Sequence, residues 1–151
     1  MAYEMQLFSN IPLFETLDAA SLKEIQKLLK KEHYKKGKRI INEGELGDSL
    51  FIILEGEVEV VKGKGKNSKR VASLQAFDFF GEMSLLENKP RSASIIAKKD
   101  SLLLKLSKTN FEKLVNKFPI ISFRIMKTLS ARIRETDRRL IDDLKKKNKE
   151  L

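Results

Sequence analysis

The sequence has 151 residues, 41% hydrophobic and 34% charged, with one histidine and no cysteine. Disulfides, Cys-based metal sites, His-cluster metal sites and thiol catalysis are thereby excluded, and a histidine-dependent triad would rest on His33 alone. The 31 basic and 21 acidic residues leave a formal charge of +10, a balance that invites a nucleic-acid reading.

The lysines, however, are spread along the whole chain. Two local concentrations stand out: Lys62, Lys64, Lys66, Lys69 and Arg70, and then Lys145, Lys146, Lys147 and Lys149. Basic runs in a loop and a tail read first as solvated surface. The length suits one domain, since domains cluster near roughly 100–150 residues, and a chain of this size buries about 68–70% of its unfolded surface. No run approaches the ~18 apolar residues of a membrane span. The start, MAYEMQLFSNIPLF, lacks a basic segment followed by an apolar one. A cytoplasmic protein without signal peptide or membrane contact is the expectation, and the absence of cysteine fits a reducing compartment.

In chain order, Leu7, Phe8, Ile11 and Phe14, interrupted by Pro12, predict a short helical turn. Asp18 is placed to cap a helix on which Leu22, Ile25, Leu28 and Leu29 recur at helical spacing. His33 follows as an exposed or capping residue. From Tyr34 to Leu106 short strands alternate with turns: Arg39–Ile41, Ser49–Leu54, Glu57–Val61, Arg70–Leu74, Ser92–Ala97 and Leu102–Leu106. This spacing predicts an antiparallel barrel or roll, because no helix-length crossovers separate the strands. Thr109 or Asn110 then caps a helix that Phe118-Pro119 ends. A long helix runs from about Ile120 onward. On it Met126, Leu129, Ile133, Thr136, Leu140 and Leu144 follow the three-and-four spacing of an a/d seam. That seam predicts either docking on its own domain or pairing with a second subunit.

The stretch from Phe79 to Ile95 carries the chemistry. A strand ends at Phe80, Gly81 permits close backbone approach, and a helix of about two turns runs from Glu82 to Glu87 before Pro90 stops it. The start of such a helix offers unpaired N–H groups to a phosphate. Arg91 supplies a planar fork of donors matched to phosphate oxygens. Glu82 is acceptor-only and suits a sugar hydroxyl. Together these describe a sugar-phosphate pocket.

Phe80-Gly81-Glu82-Met83-Ser84-Leu85 followed by Pro90-Arg91-Ser92-Ala93 resembles the phosphate-binding cassette of cyclic nucleotide-binding domains, the family of bacterial catabolite activators, protein kinase A regulatory subunits and cyclic nucleotide-gated channels. Gly37, Ile41, Gly44, Gly47-Asp48, Phe51-Ile52-Ile53 and Gly56-Glu57-Val58 sit where that family keeps its turns and strands. The resemblance covers roughly Phe8 to Pro119 and the helix beyond. It implies an α+β fold: an antiparallel, jelly-roll-like β-roll (a double-stranded β-helix) flanked by N-terminal helices and a long C-terminal helix. On this reading residues 1–151 form one domain, with helices over 1–33, the roll over 34–107 including a cassette at 80–93, and helices over 108–151.

The resemblance further implies that Glu82 accepts the ribose 2′-hydroxyl and that Arg91 pairs with the cyclic phosphate. Gly81, Met83, Ser84, Ser92 and Ala93 complete the cradle with Glu82, and Val71 and Ala72 face the base. The implied ligand is cAMP or cGMP, with cAMP favoured and no cofactor or metal. A hydroxyl at Ser92 can serve either nucleotide. Two departures matter. Phe77 stands at a turn position where the family usually has glycine, reshaping the lip before the cassette. No winged helix-turn-helix follows the long helix, so specific DNA binding is not expected. Leu140 and Ile141 lie where bacterial activators place base-capping hydroxyls, leaving Arg134, Thr136 or Arg138 as substitutes.

The function expected is a non-catalytic regulatory module that transmits nucleotide occupancy through its C-terminal helix to an effector the sequence does not name. The alternative is a ligand-free scaffold of the same fold, dimerising or docking on another protein through that helix. A metal-dependent cupin would need several histidines. A nucleic-acid binder using the basic tail would show affinity falling steeply with salt.

Overall fold

Strand Ser49–Glu55 (β3) is apolar at almost every position, and a strand of this kind must be covered on both faces. In a computed structural model, which describes the backbone of residues 2–150 and the side chains of residues 6–148, it is so covered. Leu50, Ile52 and Leu54 point into a core shared with the helices, where Phe8, Phe14 and Ile25 are buried. Phe51 and Ile53 point the other way, into a second core with Ile41, Val58 and Ile95. The two cores are the two sides of one sheet.

The chain opens with α1 (Ala2–Ser9), a 3-10 turn at Pro12–Phe14 and α2 (Ala19–Leu28). The strands that follow are β1 (Lys30–Tyr34), β2 (Arg39–Ile41), β3, β4 (Glu57–Lys62), β5 (Lys69–Gln75), β6 (Phe79–Phe80), β7 (Ser94–Ala97) and β8 (Ser101–Ser107). A short helix α3 (Glu82–Glu87) lies between β6 and β7, and α4 (Lys108–Lys117) and α5 (Pro119–Glu150) close the described chain. The strands make two four-stranded sheets, β1-β8-β3-β6 and β2-β7-β4-β5, in which every pairing is antiparallel. This is the β-roll with flanking helices expected from the sequence.

Asp18 caps α2 as expected, its carboxylate accepting from the Ser21 amide at 2.8 Å. Three local expectations are corrected. The roll begins earlier, because Lys30–Tyr34 is a strand. It pairs only with β8 at the sheet edge, where charged residues are tolerated and no alternating apolar pattern is needed; His33 stands on it, exposed and opposite Leu102. The cap of α4 is Ser107 rather than Thr109 or Asn110: its hydroxyl accepts from the Asn110 amide at 3.2 Å. The Asn110 side chain instead donates to the Leu28 carbonyl at 3.1 Å.

The third correction concerns α5. Ile121 and Ile125 are buried and Leu129 packs against the helix-side core, so Leu129 belongs to the domain and not to a free seam. Arg124 fastens this part of the helix, donating to the carbonyls of Leu13 and Glu15 and to the Thr16 hydroxyl. From Ile133 to Asn148 every side chain is exposed. Met126, Ile133, Leu140 and Leu144 are all 57–62% exposed along the outer face. The side chain of Lys149, counted in the basic tail, lies outside the described residues. No described helix is long and apolar enough to cross a membrane.

Candidate functional site

Phe80 is held by pairing opposite Phe51, on whose ring it stacks at 5.1 Å between centroids. The chain then turns through Gly81, whose φ of +89° belongs to the left-handed region. A Cβ at Gly81 would lie 2.7 Å from Arg91 Nη1 and 2.8 Å from the Ser49 carbonyl oxygen. Both backbone conformation and space therefore demand glycine. Helix α3 begins at the next residue, and Ser84, buried within it, donates its hydroxyl to the Lys89 carbonyl at 3.0 Å. That bond ties the helix to the turn that returns the chain at Arg91.

Arg91 is 9% exposed. Its backbone is pinned to the Gly44–Glu45 turn, donating to the Glu45 carbonyl at 2.8 Å and accepting from the Gly44 amide at 2.8 Å. Its guanidinium donates to the carbonyls of Gly81 and Ser49, each at 2.9 Å. Gly47 lies so close that a Cβ there would come within 2.1 Å of Arg91 Nε. Burial pulls the guanidinium below its ordinary pKa, and Asp48 and Glu82 push it back. Two carbonyls do not exhaust five N–H donors. The group is thus a desolvated cation, fixed in place, with donor capacity remaining.

Arg91 and the start of α3 border a cavity of about 240 Å³. One wall is apolar, formed by Ile41, Val60, Ala72, Leu74 and Ile95. The polar side brings together Gly81, Glu82, Met83, Ser84, Ser92 and Ala93 with Arg91. Of the cassette and strand residues singled out from sequence, only Val71 is absent from the lining. Ala72 lines the cavity, but its neighbour Val71 does not and is 47% exposed. Val71 is the extra residue of an irregularity in β5, since Ala72 pairs with Val60 and Arg70 with the next residue, Val61.

Phe77 adopts a φ of +77°, the conformation a glycine would take without strain. Its amide donates to the Ile53 carbonyl at 2.6 Å, and its ring packs against the helix-side core. The ring is not part of the cavity wall.

One charged residue of the site escaped sequence reading. Arg132 of α5 donates from Nη2 to the Phe79 carbonyl at 2.7 Å and from Nη1 to Glu82 Oε1 at 3.4 Å. Its guanidinium lies over the Phe79 ring at 4.5 Å from the centroid. Arg134 and Arg138 instead border a groove on the outer face with Phe123 and Met126, and Thr136 turns its hydroxyl back to the Arg132 carbonyl. The signal was present: Ile121, Ile125 and Arg132 share one helical face at steps of four and seven.

A buried arginine, a carboxylate and the open end of a short helix around one apolar-walled cavity match a known pattern, and residues 31–118 fit the profile of the cyclic nucleotide-binding domain. The chain belongs to the cyclic nucleotide-binding domain family. This domain is 42% identical over 88 residues to a cAMP-dependent protein kinase regulatory subunit of Mycosarcoma maydis, covering 58% of this chain and 17% of that one. It is 37% identical over 127 residues to a cyclic nucleotide-gated potassium channel of Rhizobium etli, covering 84% of this chain and 34% of the channel. The crystal structure of the Thermus thermophilus catabolite activator protein superposes with a TM-score of 0.77 at 32% identity, over 85% of this chain and 61% of that one. The domain therefore spans less than two thirds of each of these relatives.

Proposed function

We propose that residues 1–151 form a non-catalytic regulatory module that captures a 3′,5′-cyclic nucleotide, cAMP in preference to cGMP, and passes occupancy on through α5. The observation that carries this is the buried Arg91 guanidinium, held by two carbonyls beside the first turn of α3 with donors to spare. A monoanionic phosphate neutralises that desolvated charge and accepts from both the fork and the helix amides. Glu82, only 12% exposed, takes the ribose hydroxyl. The apolar wall of Ala72, Leu74 and Ile95 receives the base. The preference for cAMP rests on kinship with a cAMP-dependent kinase subunit and a cyclic AMP receptor protein. The effector is a separate protein or a further segment attached to the module.

Thermal unfolding with excess cAMP, cGMP and 5′-AMP tests the proposal. Ligand at about 100 times its dissociation constant adds about 2.7 kcal/mol, which for a domain of this size raises Tm by about 5–10 °C. A shift with cAMP, a smaller one with cGMP and none with 5′-AMP is expected. Arg91→Lys keeps the charge but loses the fork, and should cut the shift by more than half while the circular dichroism spectrum stays native.

A second reading is favoured by one observation: the apolar outer face of α5 from Ile133 to Leu144 is uncovered. On that reading the module is a scaffold that dimerises or docks through α5, and no nucleotide alters its stability.

A further inference from the structure

The turn between β4 and β5 carries charge that the cavity does not use. Residues 62–70 hold Lys62, Lys64, Lys66, Lys69 and Arg70 and no acidic residue, and all five cations are exposed. Among the described residues only Arg70 of the five has a carboxylate partner, Glu59 at 3.4 Å. Lys62 and Lys69 stand directly opposite each other across the strand pair, and like charges so placed destabilise a sheet. β5 is the outer strand of its sheet, and charge on an exposed edge prevents pairing with other chains. That accounts for Lys69 and Arg70. It does not account for Lys62 at the end of β4, or for Lys64 and Lys66 in the turn.

The turn has a defined backbone. Gly63 takes a φ of +90°, and its amide donates to the Glu43 carboxylate at 3.3 Å. The Asn67 amide donates to the Lys64 carbonyl at 3.3 Å. The Ser68 amide and hydroxyl both donate to the Gly65 carbonyl, at 3.2 and 2.8 Å. The five cations are thus presented together on a two-stranded ribbon with an ordered tip.

We infer that the β4–β5 ribbon is a docking surface for duplex DNA, held through phosphates without sequence preference. A two-stranded ribbon is one of the two elements that the ~12 Å major groove admits. Lysines supply the phosphate contacts, and the exposed Asn67 side chain adds a neutral donor of the kind that bonds phosphate and sugar oxygens. A bilayer is the poorer partner, because no side chain from Lys62 to Arg70 is apolar and able to enter it. The inference is independent of nucleotide capture, since none of the five cations lines the cavity.

Fluorescence anisotropy of the whole chain with a labelled duplex of about 20 base pairs and arbitrary sequence, without cyclic nucleotide, tests it. Neutralising four to five phosphates gives a slope of log K against log salt near about −4, so affinity should fall roughly 100- to 500-fold between 50 and 200 mM salt. Exchanging Lys62, Lys64, Lys66 and Lys69 together for glutamine should weaken binding at 50 mM more than about tenfold and flatten the slope by about three to four. The same exchange at Lys145, Lys146, Lys147 and Lys149 removes equal charge and should cost less than about threefold. The Tm of the ribbon variant should match or exceed that of wild type, because the opposed lysines are gone. Equal losses in the two variants would mean diffuse attraction to the chain's net charge and would overturn the inference. So would failure of wild type to bind the duplex at 50 mM salt. Vesicles of phosphatidylserine and phosphatidylcholine form the last arm: if the ribbon variant loses the vesicles and keeps the duplex, the partner is a membrane and DNA docking is overturned.

Discussion

Gly47 and Gly81 are small for different reasons, and substitution separates them from an ordinary turn glycine. Gly47 needs no unusual backbone angle; it needs the volume, because Arg91 Nε would lie 2.1 Å from its Cβ. Gly47→Ala must therefore expel the guanidinium from the carbonyls of Ser49 and Gly81, leaving buried acceptors unpaired at about 1–3 kcal/mol. Cyclic nucleotide binding should fall by more than about tenfold, read by calorimetry. Gly37→Ala is the control: its φ is +90° but nothing lies within 4 Å of an added Cβ, so stability drops by about 1 kcal/mol and binding is untouched. Phe77 gives the converse case. Its backbone is strained for any side chain, yet its ring packs on the core. Phe77→Ala and Phe77→Gly lose the same packing, but only the glycine variant relieves the angle. Urea denaturation should rank Phe77→Gly above Phe77→Ala by about 1 kcal/mol, reversing the usual order of alanine and glycine.

At the level of elements, α2 and α5 show opposite dependence on the rest of the fold. The α2 cap is local: the Ser21 backbone and side-chain hydrogen bonds hold the Asp18 carboxyl below its ordinary value of 3.8. A lowered folded-state pKa means that the carboxylate stabilises the protein above that ordinary value, and that this contribution is lost as pH falls through the folded value. Wild type should thus lose stability on acidification below about pH 4 more steeply than Asp18→Asn, which keeps a capping oxygen without the charge. Paired urea midpoints at pH 7 and pH 3 measure the difference. The outer half of α5 has no such self-sufficiency. Helix stability in proteins comes mostly from packing of a buried face, and every side chain from Ile133 to Asn148 is exposed. If α5 docks on a second copy, Ile133→Glu combined with Leu140→Glu should convert a larger species to a monomer by sedimentation, with the Tm of the roll unchanged.

For the whole molecule, the roll and α5 do separate work. The roll is cross-linked by two antiparallel sheets and two cores, which makes the cavity a fixed frame. α5 is fastened at Arg124 and Arg132, and its described side chains beyond them are exposed. Related domains occur in a kinase regulatory subunit, a potassium channel and a catabolite activator. The charge of +10 adds a general attraction to anions, so nucleotide affinity should weaken somewhat between 50 and 500 mM salt. Binding through the buried Arg91 should persist, whereas binding through the exposed lysines alone would not.

The sequence by itself determined what local chemistry dictates. Apolar runs bounded by glycine marked most strands, Asp18 announced its helix, and the order Gly81-Glu82 followed by Arg91 identified the cassette and with it the family. These signals are legible because each depends on neighbours within a few residues. Only the tertiary structure decided the rest. That Lys30–Tyr34 is a strand follows from the edge β8 offers it, not from its own polar residues. That Ala72 and not Val71 lines the cavity goes with the irregularity in the β4–β5 pairing, which leaves Val71 as the extra residue and keeps Ala72 opposite Val60. That Arg132 joins the site follows from where Ile121 and Ile125 dock α5, because a helix already fixed by its buried face has no freedom left in what the residue seven positions on will touch.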